Sequence, residues 1–343
     1  MNIRVGLIGF GNVGQGFVSL LRDKASRIAE ERGCHISLHF IAGRSKGSFY
    51  SPEGIAPEKV LEVFASRGTL DALPGERIED PRDLLRRKAV DVLAETTPTN
   101  LETGEPGLSY IRTALEEGIS VTTTNKGPIA LAWEELAALG ARRGARLLCE
   151  GTVLSGTPAI NFVEKTLGGC SVEEITGILN GTTNYMLTRM EEGMAYQEAL
   201  KEAQDLGYAE ADPTADVDGW DAAVKVVILG KILFGSSRKV EDIPRRGIRE
   251  ISKEQVEKAL KEGKRIRLLG TVKRTPSGTV EGEVAPRLLE KDHPLAGVRG
   301  ATNALVISTD VLGDVSVMGP GAGRRETGQA LLVDILSLAD RMK

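Results

Sequence analysis

Cysteine and histidine are scarce in this sequence, which contains three residues of each among 343. The cysteines Cys34, Cys149 and Cys170 are widely spaced and form no CxxC pair. The sequence therefore predicts neither a disulfide framework nor a zinc site, and a small core residue is the simplest interpretation of each cysteine. Three histidines are also a poor supply for a histidine-based metal centre or a catalytic triad.

Long apolar runs and an excess of basic charge are missing as well. Every apolar run is shorter than the roughly 18 residues that mark a membrane-spanning helix, and the N-terminus enters a predicted strand without a signal-peptide pattern. Lysine and arginine (44) are interspersed with aspartate and glutamate (48), for a net charge of −4. These features disfavour a membrane or a nucleic-acid partner and predict a cytoplasmic protein. The 343 residues, 41% of them hydrophobic, are enough for two globular domains.

A glycine-rich turn near the N-terminus is the first functional motif. Residues 2–10 predict a strand, and a helix with a second strand at residues 36–42 follows. Between strand and helix stands a GxGxxG motif, formed by Gly9, Phe10, Gly11, Asn12, Val13 and Gly14. In this setting the glycines let the backbone approach a pyrophosphate, and the helix N-terminus faces its charge. The sequence therefore predicts a Rossmann-type dinucleotide-binding unit.

The end of the second strand bears on the choice between NAD and NADP. An NAD-selective site places an acidic residue there for the ribose 2′-hydroxyl, but this chain has Gly43-Arg44-Ser45-Lys46. The two cations suit a 2′-phosphate, and the alternative is that they are ordinary loop residues. We expect NADP to be the cofactor, with NAD still possible.

The rest of the first half predicts further parallel strands whose polar ends meet at one edge of the sheet. Strands at residues 90–95 and 120–123 lead into loops that carry Thr97 and Lys126, and ligands bind at such strand ends in open α/β sheets. Helices are predicted at residues 108–117 and 130–143, a last strand at 146–150, and a helix near 57–67 inside an insertion without evident chemistry. Residues 1–150 form the predicted NAD(P)-binding domain.

After Glu150 the chain changes character. Residues 151–158 form a turn-rich junction whose carbonyls, with the Glu150 carboxylate, could hold a hard cation or could act as a plain hinge. A strand at 172–179 precedes a helix for which Thr182 or Thr183 is the predicted cap. A helix at 196–206 and strands near 265–273, 279–285 and 303–309 predict a mainly antiparallel α+β substrate and dimerisation domain over residues 151–318.

The last predicted element is a helix at residues 324–342, opened by a small-residue loop, GPGAG, at 319–323. At Gly321 the backbone of this loop could meet the cofactor. We expect the segment 319–343 to return to the nucleotide-binding domain.

The most unusual stretch is acidic and leads into an apolar helix. Glu210, Asp212, Asp216 and Asp218 stand close together, and the helical pattern that begins at Val217 continues through VVILGKILF. Spacing of i, i+3 and i+7 places Asp218, Asp221 and Lys225 within about 60° on one helix face. One interpretation is an exposed ion pair of small energy. The other is a buried lysine that handles a proton while the carboxylates hold a substrate amine.

Together these motifs resemble those of the homoserine dehydrogenase family over nearly the whole chain. The resemblance rests on GFGNVG (9–14), TNKG (124–127), GILNGTTNYML (177–187), GYAEADPTADVDGWDAAVK (207–225) and GPGAG (319–323). It implies reversible NAD(P)H-dependent reduction of L-aspartate 4-semialdehyde to L-homoserine, on the route to threonine, methionine and isoleucine.

The resemblance also implies roles for individual residues. Lys225 would be the proton donor, Glu210 and Asp221 would hold the substrate, and Lys126 would lie between nicotinamide and substrate. The loop residues Glu150, Val153, Ser155 and Thr157 match a sodium site of the family, built mostly of backbone carbonyls.

The expected chemistry agrees with these roles. The reference pKa of lysine is roughly 10.4, so a lysine is charged at neutral pH and can stabilise the alkoxide that forms as hydride arrives. We expect a homodimer without an aspartokinase or a C-terminal regulatory domain, which puts feedback inhibition by threonine in doubt. The alternatives are another two-domain NAD(P) reductase of a small carbonyl compound and a non-catalytic dinucleotide sensor.

Overall fold

The computed structural model describes residues 1–340, in which the chain forms twelve strands and twelve α-helices. The strands are β1 (Asn2–Ile8), β2 (His35–Gly43), β3 (Gly47–Tyr50), β4 (Glu76–Arg77), β5 (Val92–Glu95), β6 (Ser120–Thr123), β7 (Leu147–Leu148), β8 (Val172–Ile178), β9 (Lys264–Arg274), β10 (Val280–Glu290), β11 (Thr302–Thr309) and β12 (Gly313–Pro320). The helices are α1 (Asn12–Arg32), α2 (Pro57–Arg67), α3 (Pro81–Arg86), α4 (Gly107–Glu116), α5 (Lys126–Arg142), α6 (Ile160–Thr166), α7 (Gly181–Glu191), α8 (Tyr196–Asp205), α9 (Thr214–Val217), α10 (Trp220–Phe234), α11 (Lys253–Lys261) and α12 (Arg324–Ala339).

The chain divides into two compact units. The first comprises Met1–Gly156 and the segment that begins at Gly323, and the second comprises Thr157–Ala322. The predicted final helix extends to residue 342, but α12 ends at Ala339 and residues 341–343 lie outside the described residues.

The first unit is built on a seven-stranded sheet in the order β4-β3-β2-β1-β5-β6-β7. Strands β2, β1, β5, β6 and β7 are parallel, and β3 and β4 extend the sheet antiparallel from β2. The insertion at residues 45–88 therefore contributes β3 and the edge strand β4 as well as the predicted helix α2. Because the five parallel strands run in one direction, the loops after β1, β5 and β6 lie at the same edge of the sheet.

Helix α12 packs against α1 at close range. A Cβ on Gly16 would collide with the Arg324 carbonyl oxygen, and a Cβ on Gly328 would lie 2.6 Å from the Phe17 backbone nitrogen. The core of the first unit contains side chains from α12, among them Leu331 and Ile335, together with residues of β1 and α1. The C-terminal helix is therefore part of the first unit's hydrophobic core.

The second unit is built on a five-stranded antiparallel sheet in the order β10-β9-β8-β11-β12. Helix α10 packs on β9 and β10, and its run from Ala222 to Lys231 is buried without interruption. These findings confirm the predicted fold class, a parallel Rossmann-type sheet followed by a mainly antiparallel α+β domain.

Several local predictions are wrong. Strand β12 was not predicted, and it takes in Gly319 and Pro320, so the GPGAG segment is a strand end and not only a loop. Asn180, not Thr182 or Thr183, caps α7, since its side chain accepts a hydrogen bond from the Thr183 amide.

The boundaries of two other elements also differ from prediction. Helix α5 begins at Lys126, ahead of the predicted residue 130, because the Asn125 side chain caps it by accepting from the Gly127 amide. Strand β7 is limited to Leu147–Leu148, and Glu150 begins a short 3₁₀ turn. Within residues 1–340, no helix combines the length and the apolar character needed to cross a bilayer.

Candidate active site

The glycines of the turn between β1 and α1 are needed for different structural reasons. Gly9 has a φ of 99°, and a Cβ on it would collide with Thr96. A Cβ on Gly14 would collide with the Gly9 carbonyl oxygen, whereas a Cβ on Gly11 would meet no atom within 4 Å. Gly11 is the N-cap of α1, and no side chain caps this end, which begins with Asn12 and Val13. The helix start therefore offers amide groups beside open space, as an anion site requires.

The two cations after β2 have different surroundings. Lys46 donates from Nζ to the Phe10 carbonyl oxygen at 3.0 Å and lies 4.8 Å from the centre of the Phe64 ring. Phe10 itself is buried and packs edge-on against Phe64. Arg44, in contrast, is exposed in the turn between β2 and β3. Lys46 holds the glycine turn against the insertion, which leaves Arg44 as the cation that faces solvent.

The loops after β5 and β6 are joined by hydrogen bonds. Thr97 donates from both its amide and its hydroxyl to the carboxylate of Glu95. Asn125 donates from Nδ2 to the Thr97 hydroxyl at 3.2 Å and caps the first turn of α5, where Lys126 is half-buried. The structure thus brings Thr97 and Lys126, both predicted from sequence, to neighbouring loops at one sheet edge.

The predicted sodium residues are buried. Within the first unit Glu150 is 1% exposed, and its amide donates to Asp334 of α12 at 3.2 Å. Val153 is buried, and Ser155 has a φ of 58° with its hydroxyl 2.7 Å from that of Thr327. In the second unit, the Thr157 hydroxyl donates to the Pro320 carbonyl oxygen at 3.0 Å. None of the described residues forms a group of three or more His, Cys, Asp or Glu side chains suited to a metal.

Lys225 of α10 contacts a carboxylate and a backbone carbonyl in the second unit. Its Nζ lies 2.7 Å from Asp221 Oδ2 and donates to the Leu179 carbonyl oxygen at 2.6 Å. The side chains of Lys225 and Asp221 are 8% and 15% exposed, so the pair is nearly out of water. The interpretation of an exposed surface pair is therefore wrong for these two residues.

Two members of this cluster were not predicted as site residues. The Asn180 amide donates to Asp216 Oδ1 at 2.6 Å and to Asp221 Oδ2 at 3.0 Å, which joins the two carboxylates. Burial raises the pKa of Asp216, while the hydrogen bond from Asn180 opposes that rise. The sequence signal was the polar Asn180 directly after a strand and directly before a helix, in the motif quoted for the family.

The other acidic residues of the stretch do not join the cluster. Asp218 was expected on the face of Lys225, but the αL residue Gly219 separates α9 from α10, and Asp218 pairs with Arg249 at 2.8 Å. Asp212 accepts from the Thr214 amide. The Glu210 side chain is exposed and makes no hydrogen bond or ion pair with the residues that the structure describes. Among the described residues, Asp216 is the one of the four acids that hydrogen bonds join to the cluster.

Gly321 has a packing role within the second unit. A Cβ on Gly321 would collide with the side-chain amide of Asn303. Asn303 is fully buried and donates from Nδ2 to the Leu179 carbonyl oxygen at 2.9 Å, the same oxygen that accepts from Lys225. The glycine therefore makes room for a residue that supports the lysine's partner.

Comparison with known proteins agrees with this geometry. The family model for homoserine dehydrogenase matches residues 158–336, and the model for the homoserine dehydrogenase NAD-binding domain matches residues 9–150. An NAD(+)-dependent homoserine dehydrogenase of Pseudomonas canavaninivorans is 41% identical over 98% of this chain and 96% of its own length. The chain belongs to the homoserine dehydrogenase family.

Other members of the family are similar over comparable lengths. The homoserine dehydrogenase of Methanocaldococcus jannaschii is 36% identical over 98% of both chains. The structure of a hyperthermophilic archaeal homoserine dehydrogenase in complex with NADPH is 31% identical, covers 99% of this chain and 98% of that one, and has a TM-score of 0.84.

The activity is that of the family, which is the NAD(P)-dependent interconversion of L-aspartate 4-semialdehyde and L-homoserine in amino-acid biosynthesis. The prediction of an oxidoreductase with a bound dinucleotide is confirmed. A different carbonyl reductase and a non-catalytic sensor are both set aside.

Proposed function

We propose that Lys225 is the proton donor of the reduction. The observation that carries this role is its burial between the Asp221 carboxylate and the Leu179 carbonyl oxygen, at 2.7 and 2.6 Å. The two contacts fix the position of an ammonium group, which donates hydrogen bonds and accepts none. The cation stabilises the alkoxide that develops on the aldehyde oxygen and then gives it a proton.

A matched pair of variants tests this role. Lys225→Met should lower turnover with aspartate semialdehyde at least about a hundredfold, the low end for general acid catalysis. Lys231→Met removes another buried lysine from the same helix, and we expect turnover within about threefold of the wild type. Turnover of Lys225→Met within about tenfold of the control would contradict the role.

Glu210 and Asp221 are proposed to bind the substrate's α-ammonium group. Glu210 is exposed and has no partner among the described residues, so a cationic ligand can pair with it without breaking a contact. Glu210→Gln should raise the KM for aspartate semialdehyde about tenfold, as expected for a charge-assisted hydrogen bond. Asp212→Asn, at a neighbouring exposed acid, is the control. An unchanged KM in the Glu210 variant would exclude this residue.

The first unit is proposed to hold the dinucleotide through Gly9, Phe10, Gly11, Asn12, Val13 and Gly14, with Thr97 and Lys126 at the neighbouring strand ends. The residues fit that group, because the open space beside Gly11 adjoins uncapped amides of α1. When bound, the reduced nicotinamide supplies the hydride. Lys126 is proposed as a second catalytic cation. We also propose that the backbone of Gly321, which lies against Asn303, contacts the cofactor.

Arg44 is proposed to recognise a 2′-phosphate, which would favour NADP. This proposal is supported by the exposure of Arg44 at the end of β2, where Lys46 already donates a hydrogen bond to Phe10. The relative from Pseudomonas is named as NAD(+)-dependent and the archaeal structure contains NADPH, so the family uses both. Arg44→Ala should lower kcat/KM for NADPH about tenfold more than for NADH, and Arg67→Ala is the exposed control. Equal losses for both cofactors would contradict the assignment.

A sodium ion is proposed at the Glu150 loop. The donor set suits a hard cation, since it consists of the Glu150 carboxylate and the carbonyl oxygens of Val153, Ser155 and Thr157. The hydroxyls of Ser155 and Thr157 already have partners, which leaves their carbonyls as the ligands. Dialysis against potassium at equal ionic strength should lower thermal stability, and sodium should restore it in the wild type but not in Glu150→Gln.

We also propose a homodimer that forms through the second unit's sheet. Strand β12 is an edge strand, and exposed apolar side chains lie on it or just before it at Val311, Leu312 and Met318. An edge with such residues is a ready pairing surface. Light scattering should give twice the mass of the 36.7 kDa chain, and Met318→Lys should shift the protein toward the monomer. A monomeric wild type would refute this proposal.

A further inference from the structure

Glu95 is a fully buried carboxylate that no step described above uses. It is the last residue of β5 and is 0% exposed. The Thr97 amide donates to its Oε1 at 2.7 Å, and the Thr97 hydroxyl donates to the same oxygen. The Thr123 hydroxyl donates to Oε2 at 2.7 Å. Oε1 therefore accepts hydrogen bonds from the loop after β5, and Oε2 accepts one from β6.

The network continues to the first turn of α5. The Thr123 hydroxyl oxygen accepts from the Asn125 amide at 3.0 Å, and Asn125 Nδ2 donates to the Thr97 hydroxyl at 3.2 Å. Asn125 Oδ1 accepts from the Gly127 amide, which sets the start of the helix that carries Lys126. A closed ring of hydrogen bonds thus joins the two loops through one carboxylate.

A glycine of α4 lies close to this ring of hydrogen bonds. A Cβ on Gly107 would lie 2.6 Å from Asn125 Nδ2 and 3.2 Å from Glu95 Oε1. Helix α4 therefore approaches the network through a residue without a side chain. Burying the charged form of a carboxylate costs free energy that its hydrogen bonds must offset.

We propose that Glu95 is a positioning residue for the nicotinamide end of the dinucleotide site, acting through Thr97 and through the Asn125-capped turn that presents Lys126. This inference rests on the proposed cofactor site. Burial raises the pKa of Glu95, because the folded protein disfavours the charged form of this carboxyl. Its removal should therefore harm ligand binding without harming the fold, unlike the removal of a purely structural residue.

The test measures NADPH affinity by fluorescence titration and thermal unfolding on the same variants. Glu95→Gln keeps the shape but turns one acceptor into a donor, and we expect the Kd for NADPH to rise at least tenfold while Tm stays equal to or above that of the wild type. Glu116→Gln, at an exposed glutamate of α4, should change neither. A Kd within twofold of the wild type would overturn the proposal, and so would a weaker Kd accompanied by a clearly lowered Tm.

Thr123→Val provides a second route should Glu95→Gln fail to fold. It removes one donor and leaves the carboxylate in place, so the Kd for NADPH should rise about threefold, and an unchanged Kd would refute the positioning role. The titration does not depend on turnover. If the wild type binds NADPH but does not reduce aspartate semialdehyde, the proposed function fails while Glu95 is still tested.

Discussion

The buried pair of Lys225 and Asp221 allows stability and catalysis to be separated by a double-mutant cycle. Asp221→Asn leaves the ammonium with the Leu179 carbonyl oxygen but without its counter-ion, which lies at 2.7 Å in the wild type. Removing one partner of a buried pair costs about 3–5 kcal/mol. Because Asp221 is 15% exposed and Lys225 keeps the Leu179 carbonyl oxygen as an acceptor, we take the low end, about 3 kcal/mol.

The double variant should behave differently from either single one. Lys225→Met in the Asp221→Asn background removes the charge that Asp221 had paired, and replacing a buried pair by groups of similar volume is often close to neutral. At about 2–4 °C per kcal/mol for a unit of this size, Asp221→Asn should lower Tm by about 6–12 °C. The double variant should recover most of that loss, but its turnover should stay at least about a hundredfold below the wild type.

Differential scanning calorimetry and the NADPH absorbance assay measure the two quantities on the same samples. The coupling energy between the two substitutions should be about 2 kcal/mol or more, because the residues are in contact. Additive effects within about 0.5 kcal/mol would refute the reasoning, since they would mean that the pair is not coupled in the folded protein. Recovery of turnover together with stability would instead refute the catalytic role of Lys225.

Three further predictions concern residues whose surroundings are now defined. Gly321→Ala should force Asn303 away from the Leu179 carbonyl oxygen, and steady-state kinetics should show a lower kcat with an unchanged KM for NADPH; a change confined to that KM would favour direct cofactor contact. Asp218→Asn breaks an ion pair whose arginine is 54% exposed, so the stability loss should be about 1 kcal/mol or less and turnover should stay within about twofold. Burial raises the folded-state pKa of Glu95, so the contribution of Glu95 to stability is present at acid pH and is lost as pH rises through that pKa. The Tm of Glu95→Gln relative to the wild type should therefore increase from pH 5 to pH 8. A difference in Tm that stays constant over this range would contradict the prediction.

The elements that sequence patterns predicted well are those set by local rules. Strand β1 and the turn at Gly9 follow from an apolar run and a GxGxxG spacing, and the positive φ of Gly9 shows why glycine is needed. Helix α2 could be placed because Pro57 stands at its first turn and Gly68 ends it in the left-handed region. In each case the residues that decide the structure are adjacent in the chain.

The predictions that failed depended on single residues that interrupt a pattern. The spacing of Asp218, Asp221 and Lys225 assumes one continuous helix, but Gly219 has a φ of 80° and separates Asp218 from α10. Strand β12 was missed because Gly313, Gly319 and Pro320 are unusual in strands, and its place in the sheet depends on pairing with β11. A periodic pattern carries no information about such interruptions.

The contacts of Lys225 show a different limit of sequence-based prediction. Lys225 touches Asp221, which is one helical turn away and was predicted, but it also touches the Leu179 carbonyl oxygen, which is 46 residues away in sequence. That oxygen is shared with Asn303, 124 residues from Leu179. A backbone carbonyl has no residue type that a motif could reveal, so this acceptor is visible only once β8 and α10 are packed. Lys225 and Asn303 both donate to the Leu179 carbonyl oxygen, and this oxygen helps to set the direction of the lysine. A substitution that displaces Asn303 should therefore change turnover. Gly321→Ala is such a substitution, because its Cβ would collide with Asn303 while the lysine itself is unchanged.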